Sequence, residues 1–258
     1  MNQKMNKPLI LIANDDGYRA AGLRYLCEFI GDMGELLVCA PDGSRSGYSC
    51  AFSAVPPLYL HQQESIAGAE VWSCSGTPVD CVKLALERLT PDRRPDLIIG
   101  GINHGDNSTV NSHYSGTMGV AMEGCMKYIP SIAFSSCDYD TNADMSHMRD
   151  YIRDIVSRVL QSGLPRGVCL NVNFPKVQQF RGIKVCRMGY GSWIKETRER
   201  EHPRQGKYYW MVGEYRNDEP EAVDNDRWAL ANGYVAVTPT TMDVTAYDVL
   251  EKMKNEWE

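Results

Sequence analysis

Apolar residues are distributed along the chain in two alternating patterns. Short unbroken runs such as Leu9-Ile10-Leu11-Ile12-Ala13 stop at turn residues; runs of this length, rich in Leu and Ile, fit strands buried on both faces of a parallel sheet. Between such runs, apolar residues recur every three or four positions. Leu23, Leu26, Cys27, Ile30 and Met33 share one helical face, and Gly34 ends the pattern. The spacing predicts a strand over 9–13, a helix over about 21–33 and a strand over 35–40 closed by Pro41-Asp42-Gly43. A helix over about 78–89 follows, with Thr77 as N-cap, Pro78 at its first position and Asp80 in its first turn. Strands over 96–103 and 130–136 and helices over about 116–127 and 144–162 continue the alternation. This order predicts an α/β fold, a doubly wound, mostly parallel sheet with helices on both faces.

The pattern changes after residue 186. Residues 187–232 mix charges with aromatics, as in Lys207-Tyr208-Tyr209-Trp210-Met211, a stretch too polar for a core and too aromatic for a plain linker. Two readings stand: a β-hairpin arm that packs on a partner subunit, or a hairpin that closes its own surface. Val244 to Trp257 reads as a final amphipathic helix. The expected organisation is a core over 1–186 and a C-terminal extension over 187–258, with hairpin arm and terminal helix, that returns partly to the core.

Charge narrows the partners. With 27 Lys+Arg against 33 Asp+Glu, the chain lacks the basic balance of a protein that binds a nucleic-acid polymer. The nine cysteines stand singly, several inside apolar runs, with no C-x-x-C pair. They read as small core residues in a reducing compartment. The segment Met1 to Ala13 has too short an apolar run for a signal-peptide core, and no stretch approaches a membrane span. The expectation is a soluble cytoplasmic protein.

Candidate chemistry begins where the first strand ends. Asn14-Asp15-Asp16-Gly17 could be a turn with a helix cap behind it. Yet ligands of open α/β sheets bind beyond the carboxyl ends of the strands, and adjacent carboxylates there repel unless a cation sits between them. Three further polar segments belong to the same edge: Ala40-Pro41-Asp42-Gly43-Ser44-Arg45-Ser46-Gly47, Gly101-Ile102-Asn103-His104-Gly105-Asp106-Asn107 and Tyr114-Ser115-Gly116-Thr117. Carboxylates, hydroxyl and side-chain amide make a hard-oxygen set suited to Mg²⁺ or Mn²⁺. Hydroxyls and backbone amides at a helix start favour a phosphate.

These stretches, with Ser75-Gly76-Thr77-Pro78-Val79-Asp80-Cys81, stand in the order found in the SurE family of survival-protein nucleotidases, which the chain resembles from residue 10 to about 136. The resemblance implies a Rossmann-like core and a metal-dependent phosphatase of nucleoside 5'- and 3'-monophosphates, with short polyphosphate as a further candidate substrate. It implies dimers or tetramers formed through C-terminal arms. Carried over by motif, one divalent metal per subunit would be held by Asp15, Asp16, Ser46 and Asn103, with Asp15 and Asp16 as the catalytic pair. Asn14, Arg45, Gly47, Asn107, Ser115, Gly116 and Thr117 would contact the substrate and its phosphate. Asp106 stands where the family usually has Pro, an added negative charge near the phosphate.

Parts of this pattern also match other chemistries. Cys39 to Ser46 fits the C-x5-R-[ST] loop of cysteine-dependent phosphatases, but Pro41 lacks an N–H donor and Asp42 would put a carboxylate into an anion cradle. A haloacid-dehalogenase nucleophile and acid would sit at D-x-D, whereas Asp15 and Asp16 are adjacent. A Mg²⁺-dependent nucleotide-binding regulator without turnover would leave Ser46, Asn103 and the Ser115 turn idle. His104 and His113 could serve as general acid or be ordinary loop residues, and Arg19 could pair a carboxylate.

Overall fold

The computed structural model describes residues 7–258, so the first six residues of the predicted N-terminal segment lie outside it. The strands are β1 (Leu9–Ala13), β2 (Glu35–Pro41), β3 (Leu60–Ile66), β4 (Ala69–Cys74), β5 (Leu97–His104), β6 (Ser131–Ser136) and β7 (Val168–Phe174). They continue with β8 (Ile183–Val185), β9 (Gly191–Ile194), β10 (Thr197–His202), β11 (Gly206–Met211), β12 (Glu214–Asn217) and β13 (Val235–Thr241). The helices are α1 (Ala21–Ile30), α2 (Pro78–Leu84), α3 (Gly116–Met126), α4 (Arg149–Ser162), α5 (Asp226–Ala231) and α6 (Tyr247–Trp257).

A nine-stranded sheet runs β3-β4-β2-β1-β5-β6-β7-β13-β8. From β4 to β7 the pairings are parallel, while β3 on β4 and β13 on β7 are antiparallel. This is the predicted mostly parallel α/β architecture. Strand order reverses between β1 and β5, the switch point where such sheets open a crevice.

Residues of β1 show why helices cover both faces. Ile10 and Ile12 enter one core cluster with Leu23 and Leu26 of α1 and Ile152 and Val156 of α4. Leu9, Leu11 and Ala13 point the other way, into a cluster with Cys81 and Val82 of α2 and Val120 of α3. Successive residues of a strand face opposite sides, so an unbroken apolar run can satisfy two helical layers, each buried side chain contributing about 1.5–3 kcal/mol.

Several elements differ from expectation. The helix predicted to Met33 stops at Ile30. That predicted to residue 89 is α-helical only to Leu84 and widens into a π-helical turn over Ala85–Leu89. The one predicted from 144 starts with a 3-10 turn, Ser146–Met148, before α4, and the terminal helix begins at Tyr247. The sequence pattern does not show β3 or β4: Leu-His-Gln-Gln-Glu-Ser-Ile of β3 lies on the sheet edge and needs no apolar run, and β4, though interior, has its run broken by the exposed Glu70.

Beyond residue 186 the chain forms two hairpins, β10–β11 and β9–β12. Every residue of β10 and β11 is exposed. The chain then returns to the core, where β13 inserts between β7 and β8. Among the described residues no helix is long and apolar enough to cross a membrane.

Candidate active site

The switch point brings the predicted loops together. Asp15, Ser46, Gly47, Asn103, Asn107 and Ser115 line one cavity of about 370 Å³ at the carboxyl ends of β1, β2 and β5. Asp15 and Asp16 follow β1 directly, and the β2 loop is tied back when the Arg45 N–H donates to the Asp15 carbonyl at 2.6 Å. Ser115, the N-cap of α3, lines a third side.

Asp15 is 3% exposed. Its Oδ1 accepts the Thr117 hydroxyl at 2.6 Å. Burial, set against this hydrogen bond and reinforced by the neighbouring Asp16 charge, pushes its carboxyl up to about 6. Asp16 is half-buried, and its Oδ2 lies 3.4 Å from both the His104 backbone N–H and His104 Nδ1. Asn103 donates its Nδ2 to the Gly105 carbonyl at 3.0 Å, which leaves its Oδ1 as an acceptor toward the cavity. The Ser46 hydroxyl stands 3.1 Å from that of Ser44.

This donor set fits a divalent cation. Two adjacent carboxylates, one of them buried, have no Lys or Arg partner among the described residues, and their only ion-pair neighbour is His104. No three His, Cys, Asp or Glu side chains gather as a metal centre among the described residues. The hydroxyl of Ser46 and the amide oxygen of Asn103 add hard donors of the kind that suit a hard cation better than zinc.

Gly116 is where close approach requires glycine: a Cβ there would lie 2.7 Å from Asp15 Cβ. Ser115 caps α3 by accepting the Met118 N–H at 3.0 Å, so its hydroxyl hydrogen remains for a ligand. Thr117, expected at the phosphate, instead commits its hydroxyl to Asp15. Asn14 also departs from expectation. It is fully buried, and both ends of its amide bond to Gly17, at 3.0 and 3.1 Å. It shapes the turn that presents Asp15 and Asp16 and does not line the cavity.

Arg45 does not line the cavity either. Its guanidinium pairs with Asp42 at 2.8 Å and donates to the Ser44 and Ser75 carbonyls. Asp106, expected to add charge beside the phosphate, accepts the Ser108 N–H at 2.8 Å and lies 3.8 Å from Arg227. Its charge is thereby offset. His104 is nearly buried with Nε2 unpartnered, whereas His113 and Arg19 are exposed. Cys39 is fully buried within β2, an inaccessible position for a nucleophilic thiol.

The site also rests on residues that no periodicity marks. Asn173 of β7 accepts the Asn107 N–H at 3.0 Å, Asn171 donates to the Asn107 carbonyl at 2.9 Å, and Asn107 Nδ2 donates to Ser135 Oγ at 2.8 Å. Two amides at i and i+2 inside the apolar strand Val-Cys-Leu-Asn-Val-Asn-Phe were the available signal, since buried amides are costly without partners. Trp193, Tyr139 and Asn111 also line the cavity.

The family profile described as Survival protein SurE matches residues 10–195. A 5'-nucleotidase SurE from Phocaeicola vulgatus is 54% identical over 252 residues, covering 98% of this chain and 98% of that protein. A 5'-nucleotidase SurE from Bacteroides fragilis is 48% identical, again covering 98% of both chains. The crystal structure of the SurE protein from Aquifex aeolicus matches with a TM-score of 0.82 at 34% identity, covering 97% of this chain and 100% of that one.

Proposed function

The chain belongs to the SurE family, and from that membership and the geometry of the cavity we infer that it is a 5'-nucleotidase, a phosphomonoesterase acting on nucleoside monophosphates. The observation that carries the finer reading is the buried Asp15 beside Asp16, with no Lys or Arg partner for either carboxylate among the described residues. Asp15, Asp16, Ser46 and Asn103 would hold one Mg²⁺ or Mn²⁺ per subunit. When bound, such an ion acts as a Lewis acid on the phosphoryl oxygens.

The chain's own residues do the rest. The Thr117 hydroxyl fixes the orientation of Asp15, and the His104 N–H steadies Asp16. The phosphate is bound by the Ser115 hydroxyl, the amides at the start of α3, the Gly47 turn and the second amide hydrogen of Asn107, donors that stabilise charge developing during transfer. Asn107 is held for this by Asn171, Asn173 and Ser135. The 3'-monophosphates and short polyphosphate fall within the same proposal.

The working form is a homodimer or homotetramer assembled through the arm. The exposed β10–β11 hairpin and α6, none of whose residues is buried, support it. The nine free cysteines support action in the reducing cytoplasm.

Phosphate release from a panel of nucleoside monophosphates tests the reading, run with Mg²⁺ or Mn²⁺, with EDTA, and after iodoacetamide. Expected is activity lost to EDTA, restored by metal and untouched by alkylation. Activity indifferent to EDTA but lost on alkylation would move the chemistry from the carboxylates to a cysteine thiol. Absence of release under every condition would favour a non-catalytic nucleotide-binding regulator.

A further inference from the structure

The loop that follows β5 carries Asn107 and is held from two sides. Strand β7 grips Asn107 itself, through Asn171 and Asn173. Two residues further on, the C-terminal extension takes hold: the Thr109 backbone N–H donates to Oδ2 of Asp226 at 2.8 Å, across a separation of 117 residues. Thr109 is buried and has a φ of 53°, a left-handed conformation that a β-branched residue keeps only where its surroundings impose it. From this point the chain enters the 3-10 turn Thr109–His113, whose Asn111 also lines the cavity.

Asp226 is the first residue of α5 and is fully buried. The neighbouring Arg227 turns to Asp106, at 3.8 Å, and no cation pairs with Asp226 among the described residues. A carboxylate in such a place is costly unless its oxygens find donors. Oδ1 accepts the Gly189 N–H at 2.9 Å and the Arg227 N–H at 2.8 Å, while Oδ2 takes that of Thr109. Burial raises the carboxyl above its ordinary value, and these three donors oppose that pull. The fit is close, since a Cβ on Gly189 would lie 3.2 Å from Oδ1.

The partners of the two oxygens come from different parts of the molecule. Gly189 stands two residues before β9, at the root of the segment that carries the β10–β11 arm. Thr109 belongs to the loop of the candidate site. Capping of α5 does not call for this carboxylate, because Asn225 already caps the helix by accepting the Trp228 N–H at 2.8 Å. Asp226 is spent instead on holding two outside segments at one spacing.

We propose that Asp226 is a positioning residue for the phosphate-binding loop: its carboxylate locks Thr109 to the arm root at Gly189, so that Asn107 is presented to the substrate phosphate in one orientation. The proposal rests on the nucleotidase reading above and adds to it a residue from beyond the core boundary drawn at 186. Displacement of the arm root is then felt at Asn107.

Asp226→Asn keeps the shape of the side chain but leaves one acceptor oxygen. With that oxygen on Gly189 and Arg227, the new NH2 group faces the Thr109 N–H, donor against donor, and the loop is released. For adenosine 5'-monophosphate, kcat/KM should fall by about 10–100-fold, the scale of a misplaced binding group. Amide hydrogen exchange over residues 105–113 should become faster by about tenfold or more, with exchange in β1 and β2 unchanged. A double-mutant cycle separates positioning from plain loss of stability. In an Asn107→Ala background there is no amide left to position, so Asp226→Asn should cost less than about threefold. A full multiplicative loss in that background would make Asp226 a structural residue only and overturn the proposal. Gly189→Ala, which presses on Oδ1 from the arm side, should speed exchange over 105–113 in the same direction. Unchanged exchange there in both variants would also overturn the proposal, whatever the activity. Failure of the nucleotidase reading is seen separately, in wild-type protein that releases no phosphate from any nucleotide, and the exchange measurement still decides whether Asp226 holds the loop.

Discussion

Thr117 donates its hydroxyl to Asp15 Oδ1 at 2.6 Å across a separation of 102 residues. This bond joins the start of α3 to the end of β1 and fixes one oxygen of the buried carboxylate, leaving the other for a ligand. Thr117→Val preserves shape and removes the donor. Outer-shell partners of metal-binding carboxylates typically change metal affinity or activity by about 10–100-fold when lost. Thr117→Val should raise the Mg²⁺ concentration for half-maximal activity by about that factor, measured by metal titration with circular dichroism as the fold control. Asp15→Asn should abolish turnover with the fold intact; an active, metal-saturable Asp15→Asn protein would remove Asp15 from the site.

Asn173 is fully buried, accepts the Asn107 N–H and donates to Asn171 Oδ1. Asn173→Ala strands two buried polar groups, each costing about 1–3 kcal/mol. Expected is a lower urea midpoint together with a loss of at least tenfold in kcat, because the loop that carries Asn107 beyond β5 loses its anchor. Lowered stability with unchanged kcat would make Asn173 a packing residue only.

The sheet was legible because its central strands are buried on both faces and so carry unbroken apolar runs, β1 and β5 above all. Edge strand β3 has no such constraint and left no pattern. At the site, Asp15, Ser46, Asn103 and Ser115 were legible because turns and caps after strands use a small set of residue types. Asn14 and Thr117 belong to the same motifs, yet their side chains bond inward, to Gly17 and Asp15. Motif membership does not say which way a side chain is spent. Trp193 was hidden for another reason: it reaches the cavity from a polar segment distant in the chain, through a contact with Asn111 that no local spacing encodes.

Thr77 and Asp80 close a capping box at the start of α2, with Asp80 accepting the Thr77 N–H at 2.9 Å and the Ser53 N–H at 3.0 Å. Burial alone would raise the Asp80 carboxyl. The Ser53 and Thr77 donors outweigh it and hold it below the usual carboxylate value of 3.8. Since the folded pKa is depressed, the stabilisation is fully present above the unfolded pKa and is lost as pH falls through 3.8 toward the folded value. Thr77→Ala should cost about 0.5–2 kcal/mol at neutral pH. In Asp80→Asn, the fall in stability between about pH 5 and pH 3 should be shallower than in wild type, measured by denaturant unfolding across that range. A parallel pH profile in the two proteins would mean that Asp80 is not held as a carboxylate.

Trp210 is 60% and Met211 73% exposed at the end of β11, on a ribbon that pairs only with β10. A lone two-stranded hairpin is marginal in water, and cross-strand charges such as Lys207 to Glu199 at 2.9 Å add little at an exposed surface. Cover by a second subunit would bury the aromatic face and stabilise the ribbon. Trp210→Glu, which puts a charge on that face, should therefore move the sedimentation coefficient of a dimer or tetramer toward that of the monomer, with the core unfolding transition unchanged. A wild-type protein that sediments as a monomer across a wide concentration range would instead make the arm a local closure of its own surface.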